Sequence, residues 1–563
     1  MRHPTSALLC ALCLPLALTA CKRAQPDPTP KQSTATYNET AGADARRIES
    51  DVRFLADDLL EGREAGTRGF DLASLYLAER FRAIGLRPAG DNGSYFQTVP
   101  LLRARRVDNG GSLIVQRATG PVALRFRDDF LPAHNFDQAQ AQVTAPAVFV
   151  GQAVYAPELQ QDDFAGIDLH GKIAVLLHGA PARFDIDRRA FYSSSREKLR
   201  ALSERGAVGA VFVSTDDEEK RDPWKETADN WDHPGMRLRD ADGHALDTFP
   251  QLSVIARVNA ASARTLLDVG DHTAAALFRD AKDGKLRGFD LPGTLSLSAQ
   301  TRIEPVQSRN VVARLPGADA ALGREHVVFT AHLDHIGIGA PVKGDAIYNG
   351  ALDNALGVAI MLEAAQQLAQ AKSPPRRSLL FIALTAEENG LLGSEWFAQR
   401  PSVPRESLVA NINMDMPVLL TPTRDAIAIG IEHSSLKPIL ERAAAEAGVE
   451  LSPDPMPEES IFIRSDQYAF IRAGIPAVYL LGGLKGGDGA DAQLRNFLRD
   501  HYHLPSDDAS QAIQYGDAAR LARLNARIGQ GVADAAQRPT WNKGDFFGER
   551  FGGLDTAKPA TKP

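Results

Sequence analysis

Apolar runs alternate with helical patterns through the second half of the chain, and acidic residues or histidine follow each run. The runs cover residues 327–330, 379–385 and 408–413. Continuous apolar runs of this length, separated by amphipathic helices, predict buried strands of a parallel sheet. The sequence therefore predicts an α/β fold with a mixed, mostly parallel sheet flanked by helices.

Candidate metal ligands stand at the ends of these predicted strands. His332 follows the first run, and Asp353 opens the helix after it. Glu387 and Glu388 follow the second run, and Asp415 follows the third. Because ligands bind beyond the carboxyl ends of parallel strands, we expect these side chains to converge. Imidazole nitrogen and carboxylate oxygen are donors that zinc accepts, so the pattern predicts a metal site.

Each of these residues alone has an ordinary structural explanation. A Glu-Glu pair at a strand end often begins a solvated helix, and the Asp353-Asn354 pair is suited to capping one. Their joint occurrence at successive strand ends favours the metal site over coincidence.

The first half of the chain follows different patterns. Residues 45–86 hold two apolar stripes at helical spacing: Ile48, Val52, Leu55, Leu59 and Leu60 in the first, and Leu72, Leu75, Leu77, Phe81 and Ile84 in the second. We assign both helices to the domain of the parallel sheet, because neither buries its stripe alone. Residues 105–290 instead carry short strand runs and one helix at 197–205, which predicts a self-contained β-rich insertion.

Length and charge narrow the possible functions. The 563 residues exceed the ~250–300 at which single cores stop growing, so more than one domain is expected. The net charge of -8 argues against a nucleic-acid partner held through its phosphates.

The N-terminus predicts export and a lipid anchor. The apolar run 7–20 is too short to span a membrane and ends in Leu-Thr-Ala-Cys21, which resembles a bacterial lipobox. That resemblance implies a lipid on Cys21; the alternative is an ordinary secretory signal that contains a cysteine. Lys22 in place of Asp indicates the outer membrane, so we expect a cell-envelope lipoprotein facing the periplasm or the exterior. The three cysteines, Cys10, Cys13 and Cys21, leave the mature body without thiols.

Together the motifs closely resemble the co-catalytic di-zinc aminopeptidases of metallopeptidase family twenty-eight, bacterial leucyl aminopeptidase type. The resemblance covers residues 45–100 and 300–535. Segments 148–151, 168–175 and 206–211 resemble the protease-associated domain, which commonly interrupts such peptidases.

The resemblance implies two Zn²⁺ ions and a role for each ligand. His332 would bind one ion, and Asp353 would bridge both. Glu388 and His503 would complete the shell of one ion, while Asp415 would join His332 on the other. Three carboxylates nearly cancel the charge of two divalent ions, which agrees with this assignment.

The resemblance also implies the residues that act beside the metal. Glu387 would be the general base, and Asp334 would accept the second N–H of His332. Tyr502 and Arg464 would stabilise the oxyanion. His335 and His501 are interpreted as supporting or surface residues, because the family motif uses one histidine of each pair.

The expected function is a membrane-anchored zinc exopeptidase, an aminopeptidase that acts on peptides. The alternatives are a carboxypeptidase or other amide hydrolase on the same scaffold, and an inactive binding protein. The predicted segments are a lipoprotein signal peptide (1–20), a flexible tether (21–42), a discontinuous di-zinc peptidase domain (43–105 and 295–535), an insertion containing the protease-associated domain (106–294) and a disordered tail (536–563).

Overall fold

A computed structural model describes residues 42–553, so the predicted signal peptide and Cys21 lie outside the described residues. Its α-helices are α1 (Ala43–Leu55), α2 (Arg68–Ile84), α3 (Ile186–Ser193), α4 (Ser195–Glu204), α5 (Asp216–Arg221), α6 (Trp224–Asp229), α7 (Ala263–Leu267), α8 (Ala274–Asp283), α9 (Leu356–Ala369), α10 (Leu392–Gln399), α11 (Lys437–Ala447), α12 (Gln467–Arg472), α13 (Ala490–Asp500), α14 (Tyr515–Asp534) and α15 (Phe546–Phe551). None of these helices is both long enough and apolar enough to cross a membrane.

The strands form one large sheet and two small hairpins. They are β1 (Arg87–Pro88), β2 (Phe96–Arg117), β3 (Gly120–Leu124), β4 (Phe130–Pro132), β5 (Gln140–Phe149), β6 (Tyr155–Ala156), β7 (Gln161–Asp162), β8 (Ile173–Leu177), β9 (Gly209–Val213), β10 (Gly235–Leu238), β11 (Val254–Val258), β12 (Phe289–Leu315), β13 (His326–His332), β14 (Gly337–Val342), β15 (Asp345–Tyr348), β16 (Ser378–Leu384), β17 (Leu408–Asn413), β18 (Asp425–Ile429), β19 (Glu450–Ser452) and β20 (Ala477–Gly482).

The predicted mixed α/β sheet is confirmed in the second half of the chain. Strand β13 lies between β16 and β17 and is parallel to both, and β20 continues in parallel beside β17. Strand β12 is antiparallel to β16, and β18 is antiparallel to β20. Every residue of β13, β16 and β17 is buried, because helices cover both faces of the sheet.

One face of this sheet packs against α1, α2, α9 and α14, and the other packs against α10 and α12. The two predicted N-terminal helices are present, but their predicted stripes need correction. Leu59, Leu72 and Leu75 are 82%, 37% and 53% exposed. The buried face of α2 contains Phe70, Leu77 and other residues spaced by three or four, whereas Leu72 and Leu75 fall between those positions.

The insertion shares its sheet with the predicted peptidase domain, contrary to the prediction of a self-contained unit. Strands β2 and β12 run as a long antiparallel pair through both parts, so the predicted boundaries at 105/106 and 294/295 fall inside strands. Strand β12 then pairs with β5, and β8, β9 and β11 follow in parallel order. The insertion keeps a hydrophobic core of its own, and it holds six helices, α3 to α8, where one was predicted.

The predicted disordered tail is wrong for residues 536–553. Trp541 bridges to Ser434, and helix α15 follows. Phe547 of α15 is fully buried against the catalytic domain, while Phe546 and Phe551 pack on Phe191 of the insertion. The polar composition of this segment predicted disorder, but three of its aromatic residues, Phe546, Phe547 and Phe551, join the two parts of the molecule.

Candidate metal centre

The structure brings the five predicted metal ligands to one edge of the sheet. His332 is the last residue of β13, Glu388 follows β16 and Asp415 follows β17. Asp353 lies in the turn that precedes α9, and His503 lies in the loop after α13. Three of them, His332, Glu388 and Asp415, therefore sit at or just beyond the carboxyl ends of parallel strands, as ligands do in such sheets.

Asp353 stands between two groups of donors, with one oxygen toward each. Its Oδ1 lies 3.2 Å from Nε2 of His332, which in turn lies 2.9 Å from Oδ1 of Asp415. Its Oδ2 lies 3.2 Å from Nε2 of His503, and Oε2 of Glu388 lies 3.1 Å from that nitrogen. Each carboxylate oxygen of Asp353 thus belongs to a separate set of nitrogen and oxygen donors.

These residues fit two zinc ions. Each set offers one imidazole and two carboxylate oxygens, which are the donors of catalytic zinc sites that keep one position open. The carboxylates of Asp353, Glu387, Glu388 and Asp415 are crowded together at a site with little solvent, which is costly without compensating cations. Two divalent ions supply the four positive charges that this arrangement lacks.

The crowding of charged groups also shifts the pKa values of the site residues. Burial alone would lower the pKa of His332, but the carboxylates of Asp415 and Glu387 raise it well above its usual value. Burial would raise the pKa of Asp353, whereas its hydrogen bonds with His332 and His503 hold it well below its usual range. His332 and Asp353 therefore each stabilise the charged form of the other.

Backbone conformation turns the ligands toward the cleft. Ala386 precedes Glu387, Met416 follows Asp415, and both have positive φ, of 52° and 38°; His503 itself has φ of 55°. Such values are uncommon for residues with side chains and cluster at functional sites. Gly350 has φ of 60°, and a Cβ there would lie 2.1 Å from the Asp353 carbonyl oxygen, so the loop carrying Asp353 requires glycine.

Asp334 supports the site differently from the predicted way. The Nδ1 atom of His332 hydrogen-bonds to the main-chain carbonyl of Asp334, at 3.1 Å, and not to its carboxylate. The carboxylate instead accepts hydrogen bonds from the main-chain N–H groups of Glu387 and Glu388, at 3.1 and 3.4 Å. Asp334 therefore ties the turn after β13 to the turn after β16.

His335 is buried, so it is not a surface residue. Its Nδ1 atom lies 2.7 Å from Oε1 of Glu388, the oxygen that does not contact His503. This contact holds the orientation of Glu388. His501, by contrast, hydrogen-bonds to Ser506 in the loop before Asp507.

The sequence patterns did not predict several residues that support the site. Arg63 is buried and donates hydrogen bonds to the carbonyls of Leu333 and Gly350, which flank the ligands; burial lowers its pKa to about 10. Asp507 accepts hydrogen bonds from the N–H groups of Leu352 and Asp353. Asp507 stands four residues after His503, so its closeness to that residue in the sequence could have indicated its role. Arg63 is distant from the ligands in the sequence, and no pattern indicated its role.

An open cleft of about 830 Å³ reaches the metal-ligand cluster. Glu387, Tyr502 and Arg464 all line it, together with Asp353 and Asp415. The Tyr502 ring stacks on His503, at 3.8 Å between centroids, whereas Arg464 is exposed and paired with Glu459. The structure therefore places all three of these predicted residues at the same cleft.

Glu387 and Tyr502 have strongly altered acidity. Burial raises the pKa of Glu387 well above its usual value; His332 opposes this, and Asp415 and Glu388 add to it. Burial also raises the pKa of Tyr502, further increased by Asp353 and Glu388. Tyr502 therefore keeps its proton and can donate it in a hydrogen bond.

The fold and the paired donor sets define a zinc-peptidase domain interrupted by a second domain. Residues 310–528 match the profile of Peptidase family M28, and residues 139–246 match that of the PA domain. Residues 310–528 therefore form a Peptidase family M28 domain, and residues 139–246, within the insertion, form a PA domain. The resemblance inferred from its motifs is thus confirmed.

Individual relatives match parts of the chain. "Glutamate carboxypeptidase 2 homolog" of Caenorhabditis elegans is 22% identical over 386 residues, which is 60% of this chain and 46% of that protein. "Aminopeptidase NAALADL1" of Mus musculus is 26% identical over 336 residues, 51% of this chain and 42% of that protein. The chain therefore spans less than half the length of these curated relatives.

A solved structure extends the similarity to most of the fold. The aminopeptidase from Aneurinibacillus sp. strain AM-1 shares 20% identity and a TM-score of 0.50, with 88% of this chain and 94% of that chain covered. At this identity the likeness shows the fold alone.

Proposed function

We propose that the protein is a two-zinc aminopeptidase that removes residues from the free N-terminus of peptides. The observation that carries the proposal is the position of Asp353, whose two oxygens each lie 3.2 Å from a different histidine. Two zinc ions at such sites would polarise a peptide carbonyl and lower the pKa of a water molecule.

The residues of the chain supply the proton transfers and the hydrogen bonds. Glu387, which lines the cleft beside Glu388, would accept a proton from the attacking water and donate it to the leaving amine. Tyr502 would donate a hydrogen bond to the developing oxyanion. Arg464, which lines the same cleft, is proposed to stabilise this oxyanion through its positive charge.

One charge at the cleft supports action at an amino terminus. Asp353 and Asp415 line the cleft but would be neutralised by the ions that they are proposed to bind, whereas Glu387, which is proposed not to bind them, can attract an ammonium group. Arg63, the buried cation of the region, donates its hydrogen bonds to main-chain carbonyls and does not line the cleft.

Product analysis distinguishes the two ends of a substrate. The purified protein should shorten an unblocked pentapeptide by its first residue, and it should leave the N-acetylated form intact, because acetylation removes the ammonium group. Mass spectrometry of the products measures this. Shortening from the carboxyl end would establish the carboxypeptidase alternative and overturn the aminopeptidase proposal.

A lipid anchor at Cys21 is proposed for the location of the enzyme in the cell envelope, in the outer membrane as Lys22 indicates. It rests on the Leu-Thr-Ala-Cys motif alone. Full-length protein expressed in a bacterial host should enter the detergent phase of a Triton X-114 extract, and Cys21→Ser should move it to the aqueous phase. Wild-type protein found in the aqueous phase would refute the anchor.

A further inference from the structure

The cleft at the metal centre has a second wall, and the insertion provides it. His178, Glu218, Lys220, Arg221, Asp222 and Arg257 line the same cleft as Glu387 and Tyr502. These six residues come from the end of β8, from α5 and the residue after it, and from β11. A cleft volume of about 830 Å³ is within the range of pockets that enclose a small ligand, so it suits a peptide of few residues.

Most charges on this second wall already have partners within the insertion. Arg257 pairs with Asp222 at 2.9 Å, and Lys220 pairs with Asp217 at 2.8 Å. Glu218 accepts a hydrogen bond from the main-chain N–H of Thr215, at the start of α5. Arg221 is the charged residue of this wall for which the described residues provide no such partner.

Arg221 is exposed at the end of α5 and makes no hydrogen bond or ion pair with another described residue. A guanidinium group at the C-terminal end of a helix stays charged and presents several donors in a plane. Arg221 therefore offers its N–H donors to the cleft that also reaches the metal-ligand cluster, and its one electrostatic neighbour among the described residues is Glu218.

His178 is the second unpartnered group on this wall. Its ring stacks on Phe212, with 4.9 Å between centroids, which fixes the ring plane. Neither ring nitrogen hydrogen-bonds to a described residue, and Nε2 is buried. Burial lowers the pKa of His178 to about 3, aided by the charges of Arg257 and Lys198, so the ring is neutral and keeps one N–H donor. Buried polar groups of this kind normally have a partner.

We propose that His178 and Arg221 of the insertion bind the C-terminal carboxylate of short peptides whose N-terminus lies at the metal centre. The inference rests on the proposed aminopeptidase function and adds the substrate class: peptides of few residues with a free carboxyl group. The insertion then sets the length and the terminal group of the substrate, and the ligands of the catalytic domain carry out the hydrolysis.

The test compares free acids with C-terminal amides. Di-, tri- and tetrapeptides of leucine followed by glycines are assayed in both forms, with release of leucine as the readout. At the length that fits the cleft, the wild-type kcat/KM should be about 10-fold higher for the acid, as expected for one hydrogen bond to a charged group. Equal kcat/KM for acid and amide at every length would overturn the proposal.

Variants identify the residues responsible. Arg221→Gln should bring the acid-to-amide ratio close to 1, and His178→Phe, which retains a ring on Phe212, should lower the same ratio. Arg279→Gln removes an exposed arginine of α8 that does not line the cleft, and it should keep the wild-type ratio. A purely structural role would lower both kcat/KM values in parallel, and an unchanged ratio in both cleft variants would refute the assignment.

The two proposals fail in different ways. Wild-type protein that releases leucine from neither form, nor from leucine anilide, would contradict the aminopeptidase function itself. Wild-type protein that releases leucine from both forms with equal efficiency would contradict the carboxylate site alone.

Discussion

Glu387→Gln is expected to lower kcat by about 10²–10⁴-fold, which is the usual contribution of general-base catalysis. Glutamine keeps the size and the hydrogen-bonding capacity of the side chain but has no basic oxygen to accept the proton. The metal content and KM should stay near the wild-type values, because Glu387 is proposed to contact the ions only indirectly. Steady-state kinetics on an aminoacyl anilide, together with metal analysis of the same sample, measures both quantities.

Its neighbour provides the matched control. Glu388 contacts both His335 and His503, so Glu388→Gln should weaken one metal site and lose activity by that route. If Glu387→Gln loses metal while Glu388→Gln retains it, the two roles are exchanged. If Glu387→Gln keeps both its metal and nearly full kcat, the base lies elsewhere.

Asp353→Asn is expected to remove metal and activity together. The amide retains one carbonyl oxygen but loses the negative charge and the second anionic oxygen, so it cannot serve both donor sets. The variant should therefore bind fewer than two ions per chain at zinc concentrations that saturate the wild-type protein. Metal analysis after dialysis against a defined zinc buffer gives the result.

A nearby aspartate shows that the effect is specific. Asp345 is exposed in β15 and accepts one hydrogen bond, from the N–H of Ile347. Asp345→Asn should retain the wild-type metal content. Full metal occupancy in Asp353→Asn would refute the bridging role, even if activity were lost.

The sequence patterns predicted the parallel sheet and three of the five proposed ligand positions for one physical reason. Buried parallel strands read as continuous apolar runs, and their carboxyl ends meet at one edge, so His332, Glu388 and Asp415 were expected to converge. Asp353 was expected from its position at the start of the helix after the first run, and His503 came from the family resemblance, since neither stands at the end of a parallel strand.

Other features of the fold and the site depend on contacts between distant parts of the chain, which local sequence patterns do not predict. Strands β2 and β12 pass through both domains, because pairing along their whole length stabilises them regardless of domain boundaries. The main-chain carbonyl of Asp334 hydrogen-bonds to His332 because the turn after β13 brings the two groups together. A motif of side chains does not predict such a main-chain contact. Arg63 reaches the site from a loop 270 residues before Leu333, and α15 is ordered by contacts with α3. The second wall of the cleft likewise arises only when the insertion folds over it.

We propose that two metal ions bind in one catalytic centre to His332, Asp353, Glu388, Asp415 and His503. Native mass spectrometry of metal-free protein titrated with zinc, with activity measured at each point, tests this claim most directly. Two ions should bind per chain, with activity reaching its maximum as the second site fills. Full activity with a single bound ion, or in protein free of metal, would contradict it.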